Sequence, residues 1–407
     1  MPSSAASGRS RHPRAATLCA LALASACGGG GSTAPEPTPS PPSALALVNG
    51  TLIDGTGAPP VADAVVVTNG DRVAAAGPRA AVAIPATATV LDVRGATVMP
   101  GFINAHVHEA FDAGRLRAWA QAGVTTVRDM EILTTGPGVL ESMMTLRRTT
   151  LATPANARLL SVGYIITVPG GYGRTYVASA EEARLRVREM LDLGVDLVKL
   201  SLETGYGSRH DLPLLTPDEV AAVVAATHEW GRRVTVHVTR AWALREAVEA
   251  GADEAAHMPY DPIPDDLIRR MVDEGFVIVP TLTVLEAYGA LAGTSRNLGR
   301  FVAAGGQVAM GNDYASVPQN GFDHFELGMP MHEITRMHEA GLTPMQIVVA
   351  ATRTAARACG REKDLGVLAE GKVADVLAVD GDPLADLSAL AHPRVVVHDG
   401  VLIRGGS

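Results

Sequence analysis

Apolar runs of strand type alternate with amphipathic stretches through the middle of the chain. The amphipathic stretches include residues 180–193, 217–230 and 241–250, which space their apolar side chains as helices do. Eight strands with intervening helices predict an α/β protein with a (β/α)8 barrel; an open doubly wound sheet gives the same alternation, but the count of eight favours closure. The eight predicted strands are residues 98–106, 125–129, 158–163, 197–202, 233–239, 254–258, 277–281 and 308–313.

Short β runs separated by Gly, Asn, Asp and Pro turns occupy both ends of the chain. We expect them to form one small β-sandwich domain, with residues 44–97 as its N-terminal part, 98–364 as the barrel and 365–407 as its C-terminal part. The runs are residues 45–48, 64–68, 72–76, 90–93, 375–379, 395–398 and 401–404.

The first residues have the pattern of an export signal. Three arginines precede an apolar run at 15–24, and small residues lead up to Cys27. We therefore predict a lipoprotein-type signal peptide at 1–26, followed by a Gly/Pro-rich tether at 27–43. We expect the protein to be exported to the periplasm or the cell surface and to be anchored to a bacterial membrane through lipid on Cys27. The lipoprotein box usually carries leucine where this chain has alanine, so release of the chain stays the alternative.

Composition narrows the possible partners. The net charge of −9 leaves no basic face to neutralise phosphates, which argues against a nucleic-acid partner. Of the three cysteines, Cys19 would leave with the signal and Cys27 would carry lipid, so Cys359 would have no disulfide partner within the chain. The pattern leaves the oligomeric state open.

Residues that bind metals stand at the ends of the predicted strands. His106 and His108 lie two apart in a strand, so their imidazoles share one face and can bind one ion. Alone, this pair is a weak signal. The carboxyl ends of barrel strands meet at one face, however, so ligands on several strands would converge there. Four more candidates stand in or just after later strands: Lys199, His237, His257 and Asp313.

Three motifs carry a resemblance to a known family. Residues 49–55 (Asn-Gly-Thr-Leu-Ile-Asp-Gly), the His-x-His run at 98–108 and residues 366–375 resemble the amidohydrolase superfamily, in its imidazolonepropionase-like and metal-dependent dipeptidase branch. The resemblance covers nearly the whole chain after the tether. It implies a metallohydrolase with two divalent metal ions, expected to be Zn²⁺.

The resemblance also implies a role for each candidate. His106 and His108 would bind the first metal with Asp313, and His237 and His257 the second, while carboxylated Lys199 would bridge the two. A hydroxide between the metals would be the nucleophile, and Asp313 would pass its proton to the leaving nitrogen. Two positions depart from the family pattern: Ala256 stands where glutamate is usual, and Asn312 where threonine is usual.

The implied reaction is hydrolysis of an amide or peptide C–N bond in a small substrate, such as a dipeptide or an N-acyl amino acid. A cyclic amide or lactone hydrolase would use the same ligands. From another class, a catalytically silent metal-containing surface binding protein is the alternative. Loop residues that would contact substrate are Tyr164, Tyr172, Tyr176, Tyr206, the glycine-rich 169–173, Arg174, Arg209 and His324, although glycine turns and surface side chains also account for them.

Overall fold

The computed structural model describes residues 44–205 and 211–405. The predicted signal peptide, tether and Cys27, together with Tyr206 and Arg209, lie outside the described residues. Within the described ranges, no helix has both the length and the apolar character needed to cross a membrane.

The chain alternates strands and helices over most of its length. The strands are β1 (Ala44–Leu52), β2 (Val61–Asn69), β3 (Arg72–Pro78), β4 (Thr89–Asp92), β5 (Thr97–Pro100), β6 (Phe102–Val107), β7 (Val124–Asp129), β8 (Arg158–Ser161), β9 (Ile165–Thr167), β10 (Thr175–Tyr176), β11 (Val198–Ser201), β12 (Val234–His237), β13 (Glu254–Ala256), β14 (Val277–Val279), β15 (Gln307–Val308), β16 (Val376–Val379), β17 (Pro393–His398) and β18 (Val401–Arg404). The α-helices are α1 (Ala113–Gln121), α2 (Val139–Leu146), α3 (Ala180–Leu193), α4 (Pro217–Glu229), α5 (Ala241–Glu249), α6 (Asp265–Asp273), α7 (Leu282–Ala287), α8 (Leu291–Ala303), α9 (Met331–Glu339), α10 (Pro344–Val349) and α11 (Ala355–Ala358). π-Helical turns at Arg147–Leu151 and Ala350–Thr354 and a 3₁₀ turn at Leu387–Ala391 complete the set.

Both ends of the described chain contribute to one eight-stranded sheet, as the sequence predicted. Its order is β18-β17-β16-β5-β1-β2-β3, and β4 pairs with β1. β16 runs antiparallel to β5, so Val376 pairs with Pro100 and joins the C-terminal strands to the N-terminal ones. Valine, leucine and alanine side chains from both halves share one core, which is the arrangement of a small sandwich.

The middle of the chain forms the parallel barrel. β6, β7 and β8 pair in order, and β9 and β11–β15 form a second parallel run. Backbone hydrogen bonds close both seams: Ala105 donates to the Met310 carbonyl (2.8 Å), and Asp196 donates to the Ser161 carbonyl (2.9 Å). The third strand bends at Gly163, where φ is +69°, and continues as β9. Counting β8 and β9 as one strand, the barrel has eight, and the (β/α)8 prediction is confirmed.

The first barrel strand begins later than predicted. The sequence suggested one strand over 98–106, but Thr97–Pro100 is β5 of the small sheet, and the barrel strand β6 starts at Phe102. Gly101 separates them, and its N–H donates to the Asp375 carbonyl (2.9 Å). A Cβ at Gly101 would lie 2.3 Å from Thr125 Oγ1, so only glycine allows the chain to pass from one sheet into the other here.

The helix signals read from the sequence hold in the structure. α3 spans the predicted 180–193, and α4 starts at Pro217 behind a capping box between Thr216 and Glu219. The Thr216 N–H donates to Glu219 Oε2 (2.7 Å), and the Glu219 N–H donates to Thr216 Oγ1 (3.3 Å). Such a cap stabilises a helix by about 1 kcal/mol. This cap fixes where α4 starts.

Candidate metal centre

The structure brings the six candidate ligands to the same end of the barrel. His106 is in β6 and His108 follows it, Lys199 is in β11, and His237 is the last residue of β12. His257 comes directly after β13, and Asp313 lies beyond β15. The backbone N–H of Asp313 donates to the His106 carbonyl (2.9 Å), so closure of the barrel itself fixes the aspartate beside the first histidine pair.

One group of donors surrounds the carboxylate of Asp313. Its Oδ1 lies 3.2 Å from His106 Nε2 and 3.1 Å from His108 Nε2. One ligand atom from each of the three side chains lies within 4.8 Å of the others. The Nδ1 atoms of both histidines are buried without a hydrogen-bond partner among the described residues. These two imidazoles and one carboxylate face a common point.

A second pair of histidines lies beside this group. His257 Nε2 is 3.0 Å from His237 Nδ1, and the two rings meet edge to face at 4.4 Å. The second pair contacts the first group, because the His106 and His257 ring centroids are 4.8 Å apart. His257 Nδ1 lies 3.9 Å from Asp313 Oδ2. The four histidines and the aspartate therefore form one continuous cluster.

Two further side chains orient the second pair. Thr281 Oγ1 lies 2.7 Å from His257 Nδ1, and Glu203 Oε2 lies 3.6 Å from His237 Nε2. Glu203 is itself held by hydrogen bonds from the Thr239 hydroxyl (2.6 Å) and the Gly205 N–H (2.7 Å). Neither residue was predicted from the sequence. Strand alternation was the available signal for Glu203, since it lies four residues after Lys199 on the same face.

Burial controls the charges of this cluster. It lowers the pKa of His106 to about 3 and also lowers the pKa of His237 and His257, so these imidazoles are neutral at pH 7. Neutral imidazole is the form that binds metal. Burial would raise the pKa of Asp313, but its contacts with His106 and His108 outweigh burial and hold that pKa well below its usual value.

Lys199 is almost completely buried in the middle of the barrel. It is 1 % exposed, and in β11 it pairs with Ile165 of β9 and Thr235 of β12. Burial lowers the pKa of Lys199 to about 8, although the nearby carboxylates of Asp313 and Glu131 act in the opposite direction. A fraction of the amine is therefore neutral at physiological pH, which is the state that can react as a nucleophile.

The backbone at the cluster is strained. His257, Thr281 and Asp313 adopt positive φ angles of 82°, 48° and 56°. A residue other than glycine in this region costs on the order of 1–3 kcal/mol, and such residues concentrate at functional sites. The surrounding structure therefore holds two residues of the cluster, and Thr281 beside it, in backbone conformations that none of them would prefer alone.

The two departures from the family pattern lie in the wall of the cluster. Asn312 is buried, and its Oδ1 accepts a hydrogen bond from Asn104 Nδ2 (2.8 Å), which ties the last strand to the first. Ala256 is buried in an apolar cluster with Met130, Val162 and Leu197. Neither Asn312 nor Ala256 is one of the candidate metal ligands, so these two departures leave the ligands themselves unchanged.

A cavity of about 500 Å³ opens above the cluster. Tyr172 lies at its edge with its ring 4.4 Å from that of His237. Arg174 also lines the cavity, whereas Tyr164, Tyr176 and His324 do not. Tyr288 lines the cavity too and was not predicted from the sequence. The lining includes His108, Glu131, Gly170, Gly171, Tyr172, Gly173, Arg174, His237, His257, Leu285, Tyr288 and Asp313.

His324 belongs to a separate ring cluster. It stacks on His332 at 4.7 Å, and His332 Nε2 lies 2.8 Å from Glu286 Oε2. Tyr164 donates its hydroxyl to the Thr134 carbonyl (3.0 Å), and Tyr176 is exposed. These side chains have other roles in the described structure than lining the cavity.

The donor set fits divalent metal ions. Buried imidazole nitrogens without hydrogen-bond partners, next to an ionised carboxylate, are the ligands that Zn²⁺ and similar ions take in proteins. Burying unpartnered polar groups costs free energy, which a bound ion would offset. His106, His108 and Asp313 are placed so that they could hold a metal ion, and His237 and His257 lie beside them.

Comparison with known proteins identifies the family. Residues 97–405 match the model of the amidohydrolase family. Ochratoxinase from Aspergillus niger is 28 % identical over 302 residues, which cover 66 % of this chain and 61 % of that protein, so the chain spans less than two thirds of this relative. Imidazolonepropionase from Symbiobacterium thermophilum is 26 % identical over 367 residues, or 77 % and 80 % of the two chains.

Solved structures share the fold. A Xaa-Pro dipeptidase structure with bound methionine superposes with a TM-score of 0.75 at 23 % identity, over 89 % of this chain and 100 % of that one. The A. niger ochratoxinase structure gives a TM-score of 0.77 at 21 % identity, over 90 % and 97 %. Together with the family match over well more than half of the sequence, these findings confirm the resemblance read from the motifs: this chain belongs to the amidohydrolase family.

Proposed function

We propose that this protein is a metal-dependent hydrolase that cleaves an amide or peptide C–N bond in a small substrate. One observation carries the proposal: four histidines and an aspartate from four barrel strands form one cluster beside a cavity of about 500 Å³, and the buried Lys199 lies close enough to interact electrostatically with Asp313. A cavity of this volume matches the usual size of small-molecule sites. Its base carries the polar groups and its walls are partly apolar, as expected of an active site.

In the proposed centre, His106 and His108 would hold one Zn²⁺ with Asp313, and His237 and His257 would hold another. Lys199, once carboxylated, would supply a further anionic ligand. When bound, the metals supply a Lewis acid for the scissile carbonyl and lower the pKa of a bound water. The burial of Lys199 supports its carboxylation, because a neutral amine in an apolar strand can add carbon dioxide and become an anionic ligand.

The protein's own groups move the proton and exclude water. Asp313 is ionised and faces the cavity, so its carboxylate can take a proton at the reacting centre and return it to the leaving nitrogen. Glu203 and Thr281 keep the histidines oriented while this happens. Tyr172 covers His237 and limits the access of water to that side.

The walls of the cavity support a substrate with a free carboxylate, such as a dipeptide or an N-acyl amino acid. Arg174 Nε lies 3.7 Å from Glu131 Oε2, which is longer than a hydrogen bond, so the guanidinium can turn to a substrate carboxylate. Leu285 and Tyr288 provide apolar surface for a side chain. The similarity to an ochratoxinase and to a Xaa-Pro dipeptidase supports the same class.

We also propose that the protein is exported and anchored by lipid on Cys27. This part rests on the arginine-rich start, the apolar run and the small residues before that cysteine. Mass spectrometry of the membrane fraction would detect the lipid on the N-terminal peptide. A soluble protein whose first residue lies after Cys27 would contradict the anchor.

Metal analysis combined with a substrate screen tests the function. About two Zn²⁺ per chain, with chelator-sensitive hydrolysis of dipeptides or N-acyl amino acids, would support the proposal. Turnover of cyclic amides or lactones, without turnover of dipeptides or N-acyl amino acids, would show that the cleaved bond lies in a ring. Two bound metals without turnover on any of these classes would favour a silent binding protein, and no metal after reconstitution with bicarbonate would reject the centre.

Variants of the ligands sharpen this test. His106→Ala and Lys199→Ala should each reduce turnover at least 10³-fold, and Lys199→Ala should regain part of both metal and activity in acetate or propionate. A free carboxylate can supply the oxygens that the carboxylated lysine would otherwise provide. Exposed Lys363 is the matched control, and Lys363→Ala should leave both unchanged. Full activity of Lys199→Ala without added carboxylate would reject the bridge.

A further inference from the structure

A second cluster of metal-binding side chains lies at the opposite side of the fold, where the small β domain meets the barrel. Asp375 precedes β16, His398 ends β17 and Asp399 begins the turn to β18. One ligand atom from each lies within 4.8 Å of the others. We propose that Asp375, His398 and Asp399 bind a divalent cation that joins the C-terminal strands to the barrel, separately from the proposed catalytic centre.

His398 provides the observation that distinguishes this cluster from an ordinary group of acids. The residue is 1 % exposed, and its Nδ1 lies 2.9 Å from the Pro154 carbonyl. A carbonyl only accepts, so Nδ1 carries a proton, and Nε2 presents a lone pair whenever the ring carries no second proton. Nε2 is buried without a hydrogen-bond partner among the described residues. A buried, unpartnered nitrogen costs free energy unless it binds something.

The distances around Nε2 match those of metal ligands better than those of hydrogen bonds. Nε2 lies 3.9 Å from Asp375 Oδ1 and 3.7 Å from Asp399 Oδ2. Both exceed hydrogen-bonding distance. Ligand atoms around a tetrahedral Zn²⁺ are about 3.4 Å apart, given metal–ligand distances of about 2.1 Å. A closure of a few tenths of an ångström would bring the three atoms to that spacing.

Arg158 holds the two carboxylates in this orientation. It donates to Asp375 Oδ2 (2.7 Å) and, at 3.5 Å, to Asp375 Oδ1, and it pairs with Asp399 Oδ1, which leaves Asp399 Oδ2 facing His398. Asp375 Oδ1 also accepts from the Asp399 N–H (3.0 Å) and lies 3.9 Å from His398 Nε2. Two carboxylates and one guanidinium leave a net charge of −1, which a cation would offset.

The cluster is open to ions from one side. His398 and Asp399 line a cavity of about 300 Å³, and the Asp399 side chain is 39 % exposed. Arg147, Arg148 and Arg361 line the same cavity. Arg147 pairs with Asp196 and Arg361 with Asp364, whereas Arg148 donates to the Leu193 carbonyl and to the Thr145 hydroxyl. One imidazole and two carboxylates suit Zn²⁺ or Mn²⁺ better than Ca²⁺, which prefers oxygen ligands.

Metal stoichiometry tests the site in the full protein. After chelation, the protein is loaded with ZnCl₂, passed through a desalting column and analysed for zinc. We expect the wild-type protein to hold one equivalent of zinc more than either Asp399→Asn or His398→Asn. The first variant keeps an oxygen that can accept from Arg158, and the amide introduced in the second can still donate to the Pro154 carbonyl. The control Asp71→Asn removes an exposed carboxylate of the same domain and should match wild type.

A catalytic-centre variant separates this site from the proposed function. His106→Ala should lose zinc from the barrel centre. The double variant His106→Ala/Asp399→Asn should hold one equivalent of zinc less than His106→Ala alone. Zinc should also raise the Tm of His106→Ala but not that of the double variant. Equal zinc content in wild type, Asp399→Asn and His398→Asn would overturn the proposal. A Tm increase with inorganic phosphate but not with zinc would overturn it in favour of an anion site.

Discussion

Glu203 Oε2 lies 3.6 Å from His237 Nε2, while Nδ1 on the opposite edge of the same ring lies 3.0 Å from His257 Nε2. The carboxylate favours a proton on Nε2, and the Nδ1 lone pair is then directed to the point that the second histidine pair shares. Carboxylates behind metal-binding histidines commonly fix the tautomer in this way. Glu203 is thus a positioning residue of the centre.

Glu203→Gln should weaken metal binding without unfolding the protein. Loss of the charge behind His237 should lower affinity for one metal by about 10- to 100-fold. Competition with a chromophoric chelator measures this. Glu370→Gln alters an exposed glutamate in the small β domain and serves as the control. Unchanged affinities for both metals in Glu203→Gln would contradict the positioning role.

Asp313→Asn should separate chemistry from metal binding. Asparagine tolerates the positive φ of 56° at this position and keeps one oxygen as a ligand, but it cannot accept the proton. We expect turnover to fall by about 10²- to 10⁴-fold while most of the metal stays bound. Asp323→Asn, in the same loop region but outside the cavity lining, is the control. Wild-type turnover in Asp313→Asn would remove the aspartate from the mechanism.

Gly311→Ala should disturb the first histidine pair through packing alone. The added Cβ would lie 2.5 Å from Val279 Cγ1 and 2.7 Å from His106 Cβ. Such overpacking costs about 1–3 kcal/mol of stability and should move His106, so both the Tm and the zinc content should fall. Gly114→Ala, in the exposed first turn of α1, should leave the zinc content unchanged. A Gly311→Ala protein with wild-type zinc content would show that the side chains around Gly311 can move aside without displacing His106.

Asp129→Asn should change how stability depends on pH. Burial raises the pKa of Asp129 from 3.8 to about 6, its Oδ1 has no partner, and its Oδ2 accepts from the Ala110 N–H (3.0 Å). The folded state therefore holds the proton more tightly than the unfolded state does. The stability that this provides is fully present below about pH 4 and is lost as the pH rises through about 6.

Asparagine keeps an oxygen for Ala110 and has no proton to lose. Relative to wild type, the free energy of unfolding of Asp129→Asn should rise between about pH 4 and pH 6, by up to about 3 kcal/mol, and stay level above that. Urea unfolding of chelated protein at several pH values measures the difference. Asp323→Asn controls for the loss of an exposed carboxylate. A difference that stays constant from about pH 4 to pH 8 would be inconsistent with this account.

The sequence predicted well those features that depend on local spacing. The alternation in β6 placed His106 and His108 on one face, and the apolar spacing over 217–230 predicted α4 to within one residue. The role of Thr281 could not be predicted from the sequence, because it depends on a contact with His257 on the neighbouring strand. Residues 98–100 were assigned to the wrong sheet, because an apolar strand has the same sequence pattern in either one.

The sequence by itself determined the fold class and the candidate ligands, because periodicity and strand ends are local properties of the chain. The tertiary structure alone decided which groups meet. Asp313 reaches His106 only when the eighth strand closes on the first, and His398 meets Asp375 only when the C-terminal strands pair with β5 and each other. Contacts between distant segments depend on packing and on hydrogen bonds between strands, and no local pattern encodes them.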